Sequence, residues 1–201
     1  NQKIGQTPYT GQVIAGSYDL SLKMDLYHTY RGSFSLSEGE SKELPEISLK
    51  PKFGYLTILS EPLRAEISLD GKFLGSAPIT RRKIESGKHI IEARMDMYHT
   101  HTETITIEDG DDAKPTLTLK PAFGKLVVES EPEGAKVFLD GKQVGTTPYR
   151  DERILSGSYE LKVTQPLWSE ETETISINDE ETTEKMMVLN QNFGEITIEA
   201  D

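Results

Sequence analysis

Cysteine is absent from the 201 residues, which removes disulfide frameworks, thiolate zinc sites, iron–sulfur clusters and cysteine nucleophiles together. Tryptophan occurs once, and 35% of the residues are hydrophobic against 28% charged. That composition is globular, but thin in apolar material for a single large core. Several small domains fit it better. Basic residues are few relative to acidic ones: 22 Lys and Arg stand against 34 Asp and Glu, for a net charge of −12 and a pI near 4.9. Nucleic acid or an anionic membrane surface would repel such a chain. No apolar run approaches the roughly 20 residues of a membrane-spanning helix, and nothing at the start reads as a signal peptide. Asn1 is not an initiator residue, so the chain is expected to be a piece of something longer.

What the sequence does have is a period. Phe53-Gly54, Phe123-Gly124 and Phe193-Gly194 recur every 70 residues, as do Gly5, Gly75, Gly145 and Pro8, Pro78, Pro148. Aligned without a gap, residues 55–124 and 125–194 share 23 identities in 70 positions, and such self-similarity decides architecture before any local reading does. Residues 1–54 match the later part of the same unit, as a partial repeat lacking its first strands, and 195–201 match the first strand of a further one. The acidity is not shared evenly: 125–194 carry 14 acidic and 7 basic side chains, whereas 1–54 carry 6 of each. A functional need for acid would mark every repeat, so the charge reads as solubility tuning.

Within residues 125–194, Lys125 to Ser130 reads as a β-branched strand, followed by a Glu131-Pro132-Glu133-Gly134 turn. Val137 to Leu139 and Gln143-Val144 flank Asp140-Gly141, a dipeptide suited to a tight hairpin turn with positive φ. Tyr159 to Val163 and Thr174 to Ile177 alternate apolar with polar residues, and Met186 to Leu189 is the last strand. No 3.6-residue apolar period persists, so the expected fold is all-β: tandem small antiparallel β-sandwiches of about 70 residues. The joints contain no Gly/Ser tract. Phe53, Phe123 and Phe193 fall in them, where an aromatic packs between units and the glycine that follows lets the chain bend, so a stiff rod is expected.

The stretch Ser130-Glu131-Pro132-Glu133-Gly134-Ala135, with Asp140-Gly141-Lys142, Gly145 and Pro148, resembles the signature of the PEGA domain family. Ile154 to Tyr159 and Trp168 fit the same pattern, whereas residues 55–124 depart from it at Leu63-Arg64, in place of Glu-Gly. The resemblance implies a transthyretin-like or immunoglobulin-like sandwich, found in tandem in prokaryotic proteins that are often extracytoplasmic, with links to surface layers. It carries no catalytic residues.

The search for chemistry returns little. His99 and His101 lie on one face of a strand, about 6–7 Å apart, and form a weak candidate metal pair. Yet the next unit has Ser169 and Glu171 in their places, and His28 has Tyr30 beside it. His89 aligns with Tyr159, an inward position, and reads as a core-edge ring. Asp109 to Asp112 lacks the spaced ligands of a helix-loop-helix calcium site and reads as a solvated hairpin. No nucleophile elbow or phosphate loop is present. An aromatic recurs in one turn of every unit, at Tyr27, Tyr98 and Trp168, and would serve either as a cap on the sandwich or as a contact for sugar rings or a partner protein.

The expected function is therefore non-enzymatic and needs no cofactor. It is that of a structural spacer or protein-interaction segment of an extracytoplasmic surface protein, self-associating by repeat stacking or strand addition. The alternative is a carbohydrate- or cell-wall-binding module using the turn aromatics, and a third reading is an accessory region of an enzyme encoded elsewhere in the parent chain. No nucleic-acid partner is expected.

Overall fold

The structure is a computed structural model that describes residues 3–199. The described residues form seventeen strands: β1 (Gly16–Leu22), β2 (Tyr30–Leu36), β3 (Phe53–Glu61), β4 (Glu66–Leu69), β5 (Lys72–Ser76), β6 (Ile79–Glu85), β7 (Gly87–Arg94), β8 (His101–Ile107), β9 (Asp112–Ala113), β10 (Thr116–Thr118), β11 (Phe123–Glu131), β12 (Lys136–Leu139), β13 (Lys142–Thr146), β14 (Tyr149–Leu155), β15 (Gly157–Thr164), β16 (Glu171–Ile177) and β17 (Thr182–Val188). None of the described residues is helical, so the all-β expectation holds. The chain divides into two compact units.

The first unit takes the residues up to Thr57 with Ile79–His89 and Thr104–Pro115. Its β1 and β2 form an antiparallel pair from Gly16↔Leu36 to Leu22↔Tyr30. The cross-strand partners Tyr18 and Phe34 stack at 5.4 Å, a contact that stabilises a two-stranded ribbon with little else to pack on. The start of β3 is joined by β9, which runs parallel to it through Tyr55↔Asp112 and Leu56↔Ala113. Leu56 and Ile107 are fully buried here.

The second unit takes Ile58–Pro78, Ile90–Glu103 and everything from Thr116 onward. Its clearest part is the sandwich of residues 123–192. One sheet has the order β14-β11-β17 and the other β13-β12-β15-β16. Alternate residues of both sheets meet in one core that contains Leu126, Val128, Val137, Leu161, Val163 and Ile175. Each such side chain gains about 1.5–3 kcal/mol by burial, most of it offset by chain entropy. The hairpin at Asp140-Gly141 has φ of 47° and 76°, as the twist of a tight β-turn requires. Asp140 also accepts the backbone N–H of Glu160 at 2.8 Å, which ties the turn to β15.

The antiparallel sandwich carries a parallel pair at its last strand. β17 runs parallel to β11, from Lys125↔Thr182 to Glu131↔Val188. β16 belongs to the opposite sheet, so the chain has already crossed the sandwich when it returns beside the first strand, the kind of connection a parallel pair needs. In the preceding repeat the same strand is broken into β9 and β10. Pro115 stands where β17 has Lys185, and a proline has no N–H for the ladder.

The signature turn also has a structural account. Ser130 is buried; its hydroxyl donates to the carbonyl of Pro132 at 2.7 Å and lies 2.5 Å from the Thr147 hydroxyl, which accepts the N–H of Ala135. Gly134 has φ of 82°, and Arg64, its counterpart in the preceding repeat, keeps φ of 72° despite its side chain. Residues 195–199 pair with no strand, and Ile196 and Ile198 are each 82% exposed. The remainder of the 195–201 segment, residues 200 and 201, lies outside the described residues, as do residues 1 and 2. No helix among the described residues is long and apolar enough to cross a membrane.

Candidate functional site

The chain concentrates its recurrent side chains where one repeat meets the next. In the first unit, a turn places Tyr27 edge-on to Phe53, at 5.8 Å and 77°. In the second, Tyr98 meets Phe123 at 5.8 Å and 81°, and Trp168 meets Phe193 at 5.9 Å and 70°. The residue before each turn aromatic is left-handed: Leu26, Met97 and Leu167 have φ of 63°, 64° and 71°. For residues with side chains that conformation costs about 1–2 kcal/mol, and it recurs because packing of the ring over-determines the turn. The rings of Phe53 and Phe123 also take a cation, with Lys83 3.9 Å from the Phe53 ring and Arg153 4.5 Å from that of Phe123.

Backbone bonds clamp the same places. In the second joint His99 N–H donates to Lys120 and Ala122 N–H to Met97, both at 2.9 Å, while Ser156 N–H reaches Ala122 and Glu180 N–H reaches Phe123. The first joint repeats the set with His28 to Lys50, Lys52 to Leu26, Ser86 to Lys52 and Gly110 to Phe53. The glycines after Phe53 and Phe123 are required by this closeness. A Cβ on Gly124 would lie 2.3 Å from the Asn178 carbonyl oxygen, and one on Gly54 2.6 Å from Ile107 Cγ2. The bend expected at these glycines is therefore better described as a close approach of the neighbouring turn.

Over each clamp sits a histidine, a carboxylate and a serine. His28 Nε2 is 2.6 Å from Asp109 Oδ2, and the Ser86 hydroxyl donates to Asp109 Oδ1 at 2.5 Å. His99 Nε2 is 2.7 Å from Asp179 Oδ2, whose Oδ1 accepts from the Ser156 hydroxyl. The serine hydroxyl first, and the histidine second, hold the carboxyls of Asp109 and Asp179 below the usual carboxylate range. The aspartate here bridges serine and histidine, so the hydroxyl bonds the carboxylate rather than the imidazole. That is the wrong order for an activated nucleophile, in which histidine lies between the other two.

The other sequence candidates can now be placed. Tyr27, Tyr98 and Trp168 are half-buried, with their rings engaged by the joint phenylalanines. Phe53 is buried, Phe123 half-buried and Phe193 is 49% exposed. His99 and His101 have separate carboxylate partners, His99 with Asp179 and His101 with Glu103 at 3.8 Å. Among the described residues no three His, Cys, Asp or Glu side chains gather around a point that a metal ion would occupy. His89 is half-buried, with Nε2 2.8 Å from the Glu85 carbonyl oxygen, much as Tyr159 donates to Leu155. Sequence reasoning missed Ser86, Asp109, Ser156 and Asp179, and took His28 only as an argument about metal. The signal was present: both the Ser and the Asp are identical across the 70-residue offset, and His follows the turn tyrosine in both preceding repeats.

Comparison with known proteins agrees with this picture of a repeated module. The family model of the PEGA domain matches residues 53–122 and 123–192, so the chain belongs to the PEGA domain family, with two domains in tandem. Among solved structures it is similar to the Bacillus anthracis TIE protein, with 17% identity over 88% of this chain and 42% of that one, at a TM-score of 0.39. It is also similar to a minor pilin of Streptococcus agalactiae, with 11% identity over 74% of this chain and 100% of that one, at a TM-score of 0.31. The chain thus spans less than half the length of the first of these. No curated protein matches it.

Proposed function

We propose that this chain is a non-enzymatic spacer and interaction segment of a prokaryotic surface protein, held outside the cytoplasm. The observation that carries the reading is that two successive joints use the same contacts: a turn tyrosine on the joint phenylalanine, a cation on that ring, and a histidine reaching the aspartate of the next repeat. Repeated investment in joints fixes the spacing between modules, which is what a spacer requires and a single binding pocket does not. The acidic surface and the family to which the chain belongs support the location.

Because the chain has no cysteine, spin labels placed by Lys72→Cys and Lys142→Cys, in equivalent hairpins, report one distance across the second joint. A single narrow distance distribution in the full chain is the expected result, and one as broad as a flexible linker produces overturns the spacer reading. Antibody labelling of intact cells of the producing organism tests the location.

A further inference from the structure

We propose that β6, an edge strand in the first unit, binds a linear polysaccharide that carries carboxylate groups, a polymer of uronic acids, through Arg81, Arg82 and Lys83. This goes beyond the spacer reading, since a spacer needs no ligand.

Three consecutive cations occur nowhere else in this sequence, whose net charge is −12. Charge on an edge strand commonly prevents unwanted pairing, but that purpose needs no single sign. The equivalent strand β14, also at an edge, has two residues of each sign in Arg150, Asp151, Glu152 and Arg153, and its Glu152 is paired with Lys125 at 2.6 Å. Strand β6 has Arg81, Arg82 and Lys83 in place of Asp151, Glu152 and Arg153. All three are exposed. Among the described residues no ion pair includes any of them.

Two of the cations are held in position by rings. Arg81 Cζ lies 4.4 Å from the centroid of Tyr55 and Lys83 Nζ lies 3.9 Å from that of Phe53, while the two rings meet edge-on at 5.8 Å. A ring beneath a cation restricts its side chain and leaves the N–H donors on the far side free for an anion. Arg81 reaches its ring from a left-handed backbone, with φ of 42°, and its N–H donates to Thr57 Oγ1 at 3.2 Å. That conformation is unfavourable for a residue with a Cβ, and such outliers gather at binding sites. It is not a demand of the fold. Asp151, the counterpart of Arg81, is not left-handed, and Lys125 stands where Tyr55 would be. The carboxylates beside the strip are also engaged elsewhere, Glu85 by Lys52 at 2.7 Å and Asp112, next to Tyr55 on β9, by Lys114 at 3.2 Å.

The class of partner follows from charge and shape. The planar fork of an arginine matches the two oxygens of a carboxylate, and consecutive cations along an extended strand suit a linear polymer. A nucleic-acid duplex carries a charge every 1.7 Å or so, a density that the acidic remainder of the chain repels. Single-stranded nucleic acid needs open aromatic faces for its bases, whereas Phe53 is buried and Tyr55 lies under Arg81. A sugar polymer needs neither. A second copy of this chain is the weaker candidate, because acidic side chains around its β16 already meet lysines, Glu170 with Lys162 at 3.8 Å and Glu173 with Lys185 at 2.5 Å.

The test is binding of the full chain to immobilised polygalacturonate by biolayer interferometry, at about 0.05 M and about 0.5 M salt, with dextran as the neutral polymer and inorganic polyphosphate as the phosphate polymer. Binding to polygalacturonate is expected at low salt and its loss at high salt, with none to dextran. Changing Arg81→Gln, Arg82→Gln and Lys83→Gln together is expected to weaken binding about tenfold, whereas Lys72→Gln, Lys136→Gln and Lys142→Gln together, which remove as much charge from exposed lysines elsewhere, should alter it less than about twofold. Tyr55→Leu keeps the charge but removes the ring beneath Arg81, and an about threefold loss is expected. Arg82→Gln alone, at a side chain that packs on no ring, tests the strip without disturbing the fold and should also cost about threefold. The proposal is overturned by absence of binding at low salt, by equal losses in the two triple variants, by unaltered affinity in Arg82→Gln or Tyr55→Leu, or by tighter binding of polyphosphate. A salt-sensitive dimer in light scattering, abolished by the β6 triple variant in a chain that does not bind polygalacturonate, would overturn it in favour of a second copy. Each of these results leaves the spacer reading in place, since the spin-label distance tests that separately.

Discussion

The first joint and the second are built on one plan and filled differently. Both have the tyrosine on the phenylalanine, the cation on the ring and the Ser–Asp–His cluster. The first adds a Lys52–Glu85 pair at 2.7 Å, where the second has Ala122 and Leu155, and it buries its phenylalanine to 8% exposure. The common plan is geometric and the variation is in burial and charge. The contacts that both joints keep are therefore those that position one repeat on the next, whereas the added ion pair is an exposed contact of the kind that contributes little.

The largest expected effect separates the phenylalanines. Phe53→Ala is expected to cost about 3–5 kcal/mol, the range for a buried aromatic, with Phe123→Ala costing less and the half-exposed Phe193→Ala least. Urea unfolding of each full-length variant checks the order, and an equal loss at all three would break the link between burial and joint strength.

Next comes the close approach of the turns. Gly124→Ala is expected to cost about 1–3 kcal/mol or more by overpacking, because its Cβ meets two backbone oxygens, at 2.3 and 2.8 Å. Gly54→Ala should cost less, since the backbone oxygens its Cβ meets lie further off, at 2.9 and 3.1 Å, and its nearest neighbour is the Ile107 side chain, which can yield. Thermal unfolding of the two variants ranks them, and a smaller loss for Gly124→Ala would count against the account.

A gain is expected at Arg64. Replacing this left-handed residue by glycine should stabilise the chain by about 1 kcal/mol, and Gly134→Ala should cost a similar amount. No atom lies within 4 Å of the added Cβ at Gly134, so that comparison isolates the backbone term in a urea titration.

The smallest effect distinguishes the joints by charge. Glu85, held below the usual carboxylate range by its hydrogen bond with Lys52, contributes stability that is lost as pH falls through its lowered value. Lys52→Met should thus weaken only the first joint, seen as faster exchange at the Ser86 amide above about pH 5, with the Ser156 amide unaltered. Equal loss at both amides would show that the pair is not local to its joint.

Much of this was legible before any coordinates. The Asp-Gly hairpins, the strand alternation and the 70-residue period all follow from local chemistry: which residues accept positive φ, and which face of a strand is apolar. The parallel return of β17 was not legible, because strand direction depends on which sheet the chain has just left rather than on the composition of Thr182–Val188. The joints were half legible. Phe53, Phe123 and Phe193 stood out by recurrence, and so did Tyr27, Tyr98 and Trp168, but nothing local shows that these two sets are partners, since 25 or 26 positions separate them.

By itself the sequence determined the module, its length, its all-β character and its family, because hydrophobic alternation and turn chemistry act over a few residues and repeat with the chain. Only the tertiary structure decided that Asp109, which reads in sequence as part of a solvated hairpin, and its counterpart Asp179 lie 2.6 and 2.7 Å from histidines of the preceding repeat. That contact joins residues 80 and 81 positions apart, and such a distance is closed by packing of the repeats rather than by any local preference of the residues that meet.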